Sequence, residues 1–263
     1  MSKRDVLKEI VLKKKERILL AKQTLPEEEL KAKVQGLAPV RPFIEAINKP
    51  RQISLIAEIK KSSPSRGIIR ENFNHQEIAS IYQELGVQAI SVLTEEDFFG
   101  GNISFINEVK ALTESPILRK DFILEPYQVY ESRLYGADAI LLIADLLTQE
   151  QLTQLMQISS ELGLDYLVEV HTEKELKKVL KLKGINLIGI NNRDLHTLEV
   201  DFKTTEKLFP LVPKDKIVVV ESGIKTHQDV LFLKILGAQA VLIGETFMAA
   251  PDIHRSVEEI MGW

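Results

Sequence analysis

Two lysines and four glutamates stand near the ends of apolar runs that a plain turn could have closed. The runs read Ile56-Ala57-Glu58-Ile59-Lys60, Ile117-Leu118-Arg119-Lys120-Asp121, Leu167-Val168-Glu169-Val170-His171, Leu187-Ile188-Gly189-Ile190-Asn191-Asn192-Arg193, Val218-Val219-Val220-Glu221-Ser222-Gly223 and Val241-Leu242-Ile243-Gly244-Glu245. Each has the length and β-branched content of a buried strand. An ionisable side chain at the end of such a strand costs on the order of several kcal/mol of desolvation if it is left unpaired. One such strand is a packing accident. The recurrence at near-regular spacing implies strand ends aimed at a common ligand.

The residue types suit acid–base work. A lysine beside another cation loses proton affinity and a desolvated glutamate gains it, and both move toward a useful range. The competing reading is a set of structural ion pairs that knit the strand tops together, since these also perturb proton affinity. A local surplus of cations favours an anionic ligand instead. The loop Lys61-Ser62-Ser63-Pro64-Ser65-Arg66-Gly67 is rich in hydroxyls and positive charge, and Ser222-Gly223 and Gly244-Glu245-Thr246 expose backbone N–H groups. Together these loops suit a phosphate. His171 reads as an orienting or loop residue, and Phe98-Phe99-Gly100-Gly101 as either a wall for an aromatic ligand or a plain turn.

Strands must bring these groups together, and the chain supplies eight candidates. They begin near Ile53, Ala89, Ile117, Ala139, Asp165, Leu187, Ile217 and Ala240 and alternate with helical patterns such as Ile78, Ile81, Tyr82 and Leu85. Nearly continuous apolar runs are what a parallel sheet covered on both faces requires. Thr148, Thr172 and Thr226 stand as helix caps, each with a polar partner three residues on. Gly86, Gly136, Gly163, Gly184 and Gly237 stand where helices end. The recurring Gly86-Val87-Gln88-Ala89-Ile90, Gly136-Ala137-Asp138-Ala139-Ile140 and Gly237-Ala238-Gln239-Ala240-Val241 are one repeated unit. Self-similar βα units favour an α/β fold of the closed (β/α)8 TIM-barrel type, with reactive groups at the C-terminal strand ends. An open doubly wound sheet would want a Gly-x-Gly-x-x-Gly turn after its first strand, and the chain has none.

Residues 1–48 form an N-terminal helical extension that either covers the barrel bottom or lies beside its mouth. Its basic helix also carries Asp5, Glu9 and Glu16, which argues against a transit peptide. Residues 1–263 are read as a single domain, a size common among α/β barrels. The net charge of −4 gives no electrostatic reason to expect nucleic acid or an anionic membrane. No apolar run approaches the ~20 residues that span a bilayer. With no cysteine, thiol chemistry and thiolate metal sites are excluded, and the five histidines show no metal-ligand spacing.

In their order and spacing, Ala57-Glu58-Ile59-Lys60-Lys61-Ser62-Ser63-Pro64-Ser65, Leu118-Arg119-Lys120-Asp121-Phe122, Leu167-Val168-Glu169-Val170-His171, Ile188-Gly189-Ile190-Asn191-Asn192-Arg193-Asp194-Leu195 and Glu221-Ser222-Gly223-Ile224 resemble the indole-3-glycerol-phosphate synthase family. The resemblance runs from about Leu7 to the last helix. It implies a carboxy-lyase of tryptophan biosynthesis that closes the ring of 1-(2-carboxyphenylamino)-1-deoxyribulose 5-phosphate, giving indole-3-glycerol phosphate, carbon dioxide and water. By the same resemblance Lys120 is the general acid of ring closure and Glu169 the general base of the later dehydration. Lys60 pairs with the substrate carboxylate and transfers a proton, with Glu58 and Glu221 as electrostatic partners. Asn191 orients substrate hydroxyls, and Arg193 and Ser222 complete the polar ring. Ser63, Gly223 and Gly244 match phosphate-binding positions, and Phe99 lines the aryl pocket.

No metal and no cofactor is implied, because loss of carbon dioxide itself restores aromaticity. The expected partner is a small-molecule substrate, with no nucleic acid and no membrane, for a cytoplasmic monomer or weak oligomer. Some relatives carry a small hydroxyl residue where this chain has Glu245. A carboxylate facing the phosphate would repel it, so the side chain is expected to point away, leaving only its backbone N–H to contribute. The alternatives are an isomerase-like sugar-phosphate barrel of the phosphoribosylanthranilate type and a non-catalytic barrel that binds phosphate ligands.

Overall fold

A computed structural model describes residues 5–263, so the first four residues of the predicted extension lie outside the described residues. The strands are β1 Ser54–Ile59, β2 Ala89–Leu93, β3 Ile117–Lys120, β4 Ala139–Ile143, β5 Asp165–Val170, β6 Leu187–Asn191, β7 Ile217–Glu221 and β8 Ala240–Ile243. Each pairs in parallel with its sequence neighbour, and β1 pairs with β8, which closes the barrel. The starts fall on the expected residues, except that β1 begins at Ser54 instead of Ile53.

The helices are α1 Val6–Thr24, α2 Glu27–Lys33, α3 Phe43–Ile47, α4 His75–Glu84, α5 Phe105–Lys110, α6 Pro126–Leu134, α7 Gln149–Glu161, α8 Glu173–Val179, α9 Lys203–Leu208, α10 His227–Leu236, α11 Glu245–Ala249 and α12 Ile253–Met261. The three threonines cap as expected, accepting from the backbone N–H of Gln151, Glu175 and Asp229. Those bonds satisfy amides that the first helical turn leaves orphaned.

Strand periodicity sorts the core into two layers. Leu55, Ala57, Ile90, Val92, Val168 and Val220 face outward to the helices. Ile56, Leu118, Leu167, Leu187, Val219 and Leu242 fill the barrel interior. Two residues beyond each of those interior positions stand Glu58, Lys120, Glu169, Gly189, Glu221 and Gly244. The alternation that buries the apolar layer therefore also aims the polar layer inward.

The extension serves both ends of the barrel. Phe43 and Ile47 of α3 join the interior cluster from below, where Asp165 accepts from the backbone N–H of Ile44 at 2.9 Å. Leu7 and Ile10 of α1 join it from the mouth. The buried positions Leu7, Ile10, Lys14 and Ile18 form one face of α1, and Ile18 of α1 and Leu30 of α2 pack with Tyr127 of α6.

Candidate active site

The mouth opens into a cavity of about 580 Å³ lined by residues from all eight strand ends, with Phe99 added by the loop after β2. Its size suits one small ligand. Lys60, Lys120, Glu58, Glu169, Asn191 and Glu221 all line it, as do Ser63, Phe99, Arg193, Ser222, Gly223, Gly244 and Glu245. Residues more than a hundred positions apart thus meet around one space.

The two lysines are paired separately. Lys60 donates to Glu58 Oε1 at 2.5 Å on the same strand face. Lys120 donates to Glu169 Oε2 at 2.9 Å and stands 2.9 Å from Glu221 Oε2. Two interior glycines make room for the carboxylates. A Cβ at Gly189 would fall 2.5 Å from Glu221 Oε1, and one at Gly244 would collide with the Glu58 carboxylate.

The electrostatics differ from the sequence-based expectation. Burial alone would lower the proton affinity of Lys120, but the charges of Glu169, Glu221 and Glu58 outweigh it and hold this lysine well above its ordinary range. The expectation of a depressed lysine took its neighbours to be cations, and its contacts are carboxylates. Burial would likewise raise Glu169, yet the charges of Lys120 and His171 hold it well below the usual carboxylate range.

Glu221 goes the other way. Burial, with repulsion from Glu169 and Glu58, outweighs Lys120 and pushes it up to about 7. Both of its oxygens are buried without a hydrogen-bond partner, because Lys120 approaches off the hydrogen-bond axis. A buried carboxylate in that condition calls for a ligand or a proton.

His171 orients the ring from behind. Its Nε2 lies 3.2 Å from Glu169 Oε1 and its Nδ1 3.3 Å from Glu175 Oε2, while the Thr172 hydroxyl donates to Glu175 Oε1 at 2.7 Å. Burial would lower its proton affinity, but these two carboxylates raise it to about 10, so it stays an imidazolium at neutral pH.

After β7, Ser222 and Gly223 take consecutive left-handed conformations, φ 65° and 83°. For a serine that is a strained state of the kind held at ligand clamps, and Asn192 Nδ2 secures it by donating to Ser222 O at 3.0 Å. The Asn191 side chain accepts from the backbone N–H of Arg193 at 2.9 Å. Glu245 departs from its expected outward pose. Arg66 Nε donates to its Oε1 and Arg193 Nη2 to its Oε2, both at 2.8 Å, and the carboxylate lies against the cavity's cations. The arginines overcome the repulsion argument because they neutralise the charge where it stands.

Sequence reasoning passed over Leu7, Ile10 and Phe122, which form the apolar side of the cavity. For Leu7 and Ile10 the signal was present in their shared helix face; Phe122, just beyond a strand end, had none.

Parallel strands closed into a ring, with ammonium and carboxylate groups at their C-terminal ends, define a (β/α)8-barrel enzyme acting on an anionic small molecule. Residues 7–260 match the indole-3-glycerol phosphate synthase family. Among relatives, the indole-3-glycerol phosphate synthase of Desulforamulus reducens is 48% identical over 97% of both chains. That of Caldanaerobacter subterraneus subsp. tengcongensis is 50% identical over 98% of this chain and 99% of its own. The chain belongs to the indole-3-glycerol phosphate synthase family, carboxy-lyases of tryptophan biosynthesis.

Solved structures show the same fold at low identity. The 3-hexulose-6-phosphate synthase of Salmonella typhimurium superposes with a TM-score of 0.63 at 12% identity over 80% of this chain and 97% of that one. A variant tryptophan synthase α-subunit of Pyrococcus furiosus gives 0.60 at 18% identity over 80% and 98%.

Proposed function

We propose that the cavity takes 1-(2-carboxyphenylamino)-1-deoxyribulose 5-phosphate and closes it to indole-3-glycerol phosphate, with the aryl ring against Leu7, Ile10, Phe99 and Phe122 and the phosphate at the loops carrying Ser63, Gly223 and Gly244. The observation that carries this reading is the Lys120 ammonium, set in a buried mouth with Glu169 in direct contact. A proton donor and a base already touching are the two groups that the condensation and the dehydration need.

Lys60, beside Glu58, faces the substrate carboxylate. The ring carbon bearing that carboxylate attacks the ketone carbon, and Lys120 gives its proton to the oxygen as charge develops there. Stabilisation that appears only on the way to the transition state is what accelerates the step. The carbon–carboxylate bond then breaks, carbon dioxide leaves, and its electron pair restores the benzene ring. In the dehydration Lys60, released from the departed carboxylate, protonates the leaving hydroxyl, while Glu169 removes the proton from carbon.

The same geometry explains why a carboxylate with depressed proton affinity can serve as that base. Once Lys120 has given up its proton, Glu169 has lost one of its two cations and gains basicity when it is needed. Asn191 orients the hydroxyls, and Arg193 and Ser222 complete the polar ring. No helix among the described residues is long and apolar enough to cross a membrane. A cytoplasmic enzyme acting as a monomer or weak oligomer, with the extension as part of one domain, belongs to the same proposal.

The test is direct. Purified protein supplied with the synthetic ribulose phosphate should generate indole fluorescence and release carbon dioxide in equal amounts. Ring-closed product without carbon dioxide, or no turnover at all, would refute the assignment.

A further inference from the structure

Lys14 is the most deeply buried lysine among the described residues, and it lies outside the catalytic ring. Its ammonium sits 2.8 Å from Asp121 Oδ1, a carboxylate with no exposed side-chain surface. Asp121 directly follows Lys120 and precedes Phe122. Its carboxylate also accepts from Arg119 Nη2 at 2.9 Å, from the Thr94 hydroxyl at 2.7 Å and from the Phe122 N–H at 2.8 Å. Arg119 is paired in turn with Glu131 at 2.8 Å. Without Lys14 the aspartate would therefore still have a cation and two other donors. Because Arg119 is shared between Asp121 and Glu131, Lys14 also supplies the second cation of this buried cluster.

What Lys14 adds is a buried fastening of α1 to the end of β3. One and two turns earlier on the same face stand Ile10 and Leu7, which line the cavity. On the other side of the pair, Phe122 lies 6.1 Å ring to ring from Phe99. The Phe99 loop is itself held by buried Glu95, which accepts from the backbone N–H of Phe98 and Phe99 at 2.7 and 3.1 Å. The other ties of α1 near the mouth, Arg17 to Asp97 and Asp5 to His196, are at the surface, where salt and water weaken them.

We propose that Lys14 is a positioning residue that pins α1 across the mouth through Asp121 and so sets the width of the slot between Leu7–Ile10 and Phe99–Phe122 that receives a planar aryl group. The proposal rests on the reading of the cavity as the site of an aryl ribulose phosphate. It assigns the lysine to aryl binding and not to the chemical step.

The test separates the two ends of the ligand. Anthranilate and inorganic phosphate serve as probes in titrations of wild type, Lys14→Met, Lys14→Gln and Ile10→Ala, alongside steady-state kinetics. Lys14→Met should weaken anthranilate binding and raise KM by about tenfold, leave phosphate affinity unchanged, and lower kcat by less than about threefold. Lys14→Gln keeps a donor of nearly equal length and should recover part of the loss, which also serves if the methionine variant does not fold. Combined with Ile10→Ala, Lys14→Met should cost little more than either change alone, because both act on one wall. Unchanged anthranilate binding, equal losses for both probes, a fall confined to kcat, or fully multiplicative effects would each overturn the proposal. A wild type that binds neither probe would instead overturn the reading of the cavity.

Discussion

The two ends of this barrel use the same acidic residue types in opposite ways. At the bottom, Asp138 is saturated: its Oδ1 accepts from the Arg41 N–H and from Lys110 Nζ, both at 2.6 Å, and its Oδ2 from the Ile117 N–H at 2.8 Å. Those bonds tie the extension, α5 and β3 to one side chain. At the mouth, Glu221 is as deeply buried yet accepts no hydrogen bond, and Glu169 is held between two cations that a ligand can draw away. A buried acid with every lone pair engaged is structure. One left wanting is poised for a ligand or a proton.

The contrast breaks most sharply at Lys120. Lys120→Ala should lower kcat on the order of a thousandfold or more, since it removes the donor to the developing alkoxide. Glu169→Gln should follow at roughly a hundredfold or more as the base is lost. Both variants should melt within a few degrees of wild type, and near-normal turnover in either would show that the roles are misassigned. The bottom end should answer in the opposite currency. Asp138→Asn leaves Lys110 and two backbone amides short of a charged acceptor and should lower stability by about 3 kcal/mol in denaturant unfolding. Its kcat should stay within about twofold of wild type; a large loss of turnover at unchanged stability would erase the distinction between the ends.

Much of this was legible from residue order. Strand parity alone places Glu58, Lys60, Lys120, Glu169 and Glu221 on one inner face, because a period of two does not depend on tertiary detail. The threonine caps are equally local. The pairing of those charges was not legible. Nothing in the spacing says that Lys120 meets Glu169 and Glu221 while Lys60 stays with Glu58, and the sign of each proton-affinity shift depends on that pairing. Lys14 left a trace, a cation inside the apolar face formed by Leu7, Ile10 and Ile18, yet its partner lies more than a hundred residues away. Glu245 failed for a simpler reason: a lone carboxylate beside a phosphate is repelled, and a carboxylate already held by two arginines is another object.

The unsatisfied end also predicts a pH signature. The folded state holds the Glu221 proton up to about pH 7, whereas the unfolded chain releases it near the ordinary carboxylate value of 4.5. Between those values the native protein binds more protons than the unfolded chain, so stability falls as pH rises through the window, and the cost is fully present above it. Glu221→Gln carries no such proton. Melting temperatures of the two proteins should diverge from about pH 5 to about pH 7 in favour of the variant, and run parallel above. A difference independent of pH would show that Glu221 is ionised throughout and that the coupling to Lys120 dominates its burial.

The smallest effect is expected at Glu245, where the two kinds of carboxylate meet in one residue. It is saturated, like Asp138, but by arginines that border the cavity. An anionic ligand arriving there must compete with an internal anion for the same guanidinium groups. Removing the carboxylate would free Arg66, whose side chain is 60% exposed, but would not disorder Arg193, which also donates to Ser65 Oγ at 3.2 Å and to Leu198 O at 3.1 Å. Glu245→Ala should therefore tighten inorganic phosphate by roughly threefold to tenfold, with the gain shrinking at high salt because partly exposed charges are screened. Inhibition by phosphate at two ionic strengths reads this out. Unchanged affinity would mean that the arginines serve the loops alone, and weaker affinity that Glu245 holds them in place for the ligand and does not compete with it.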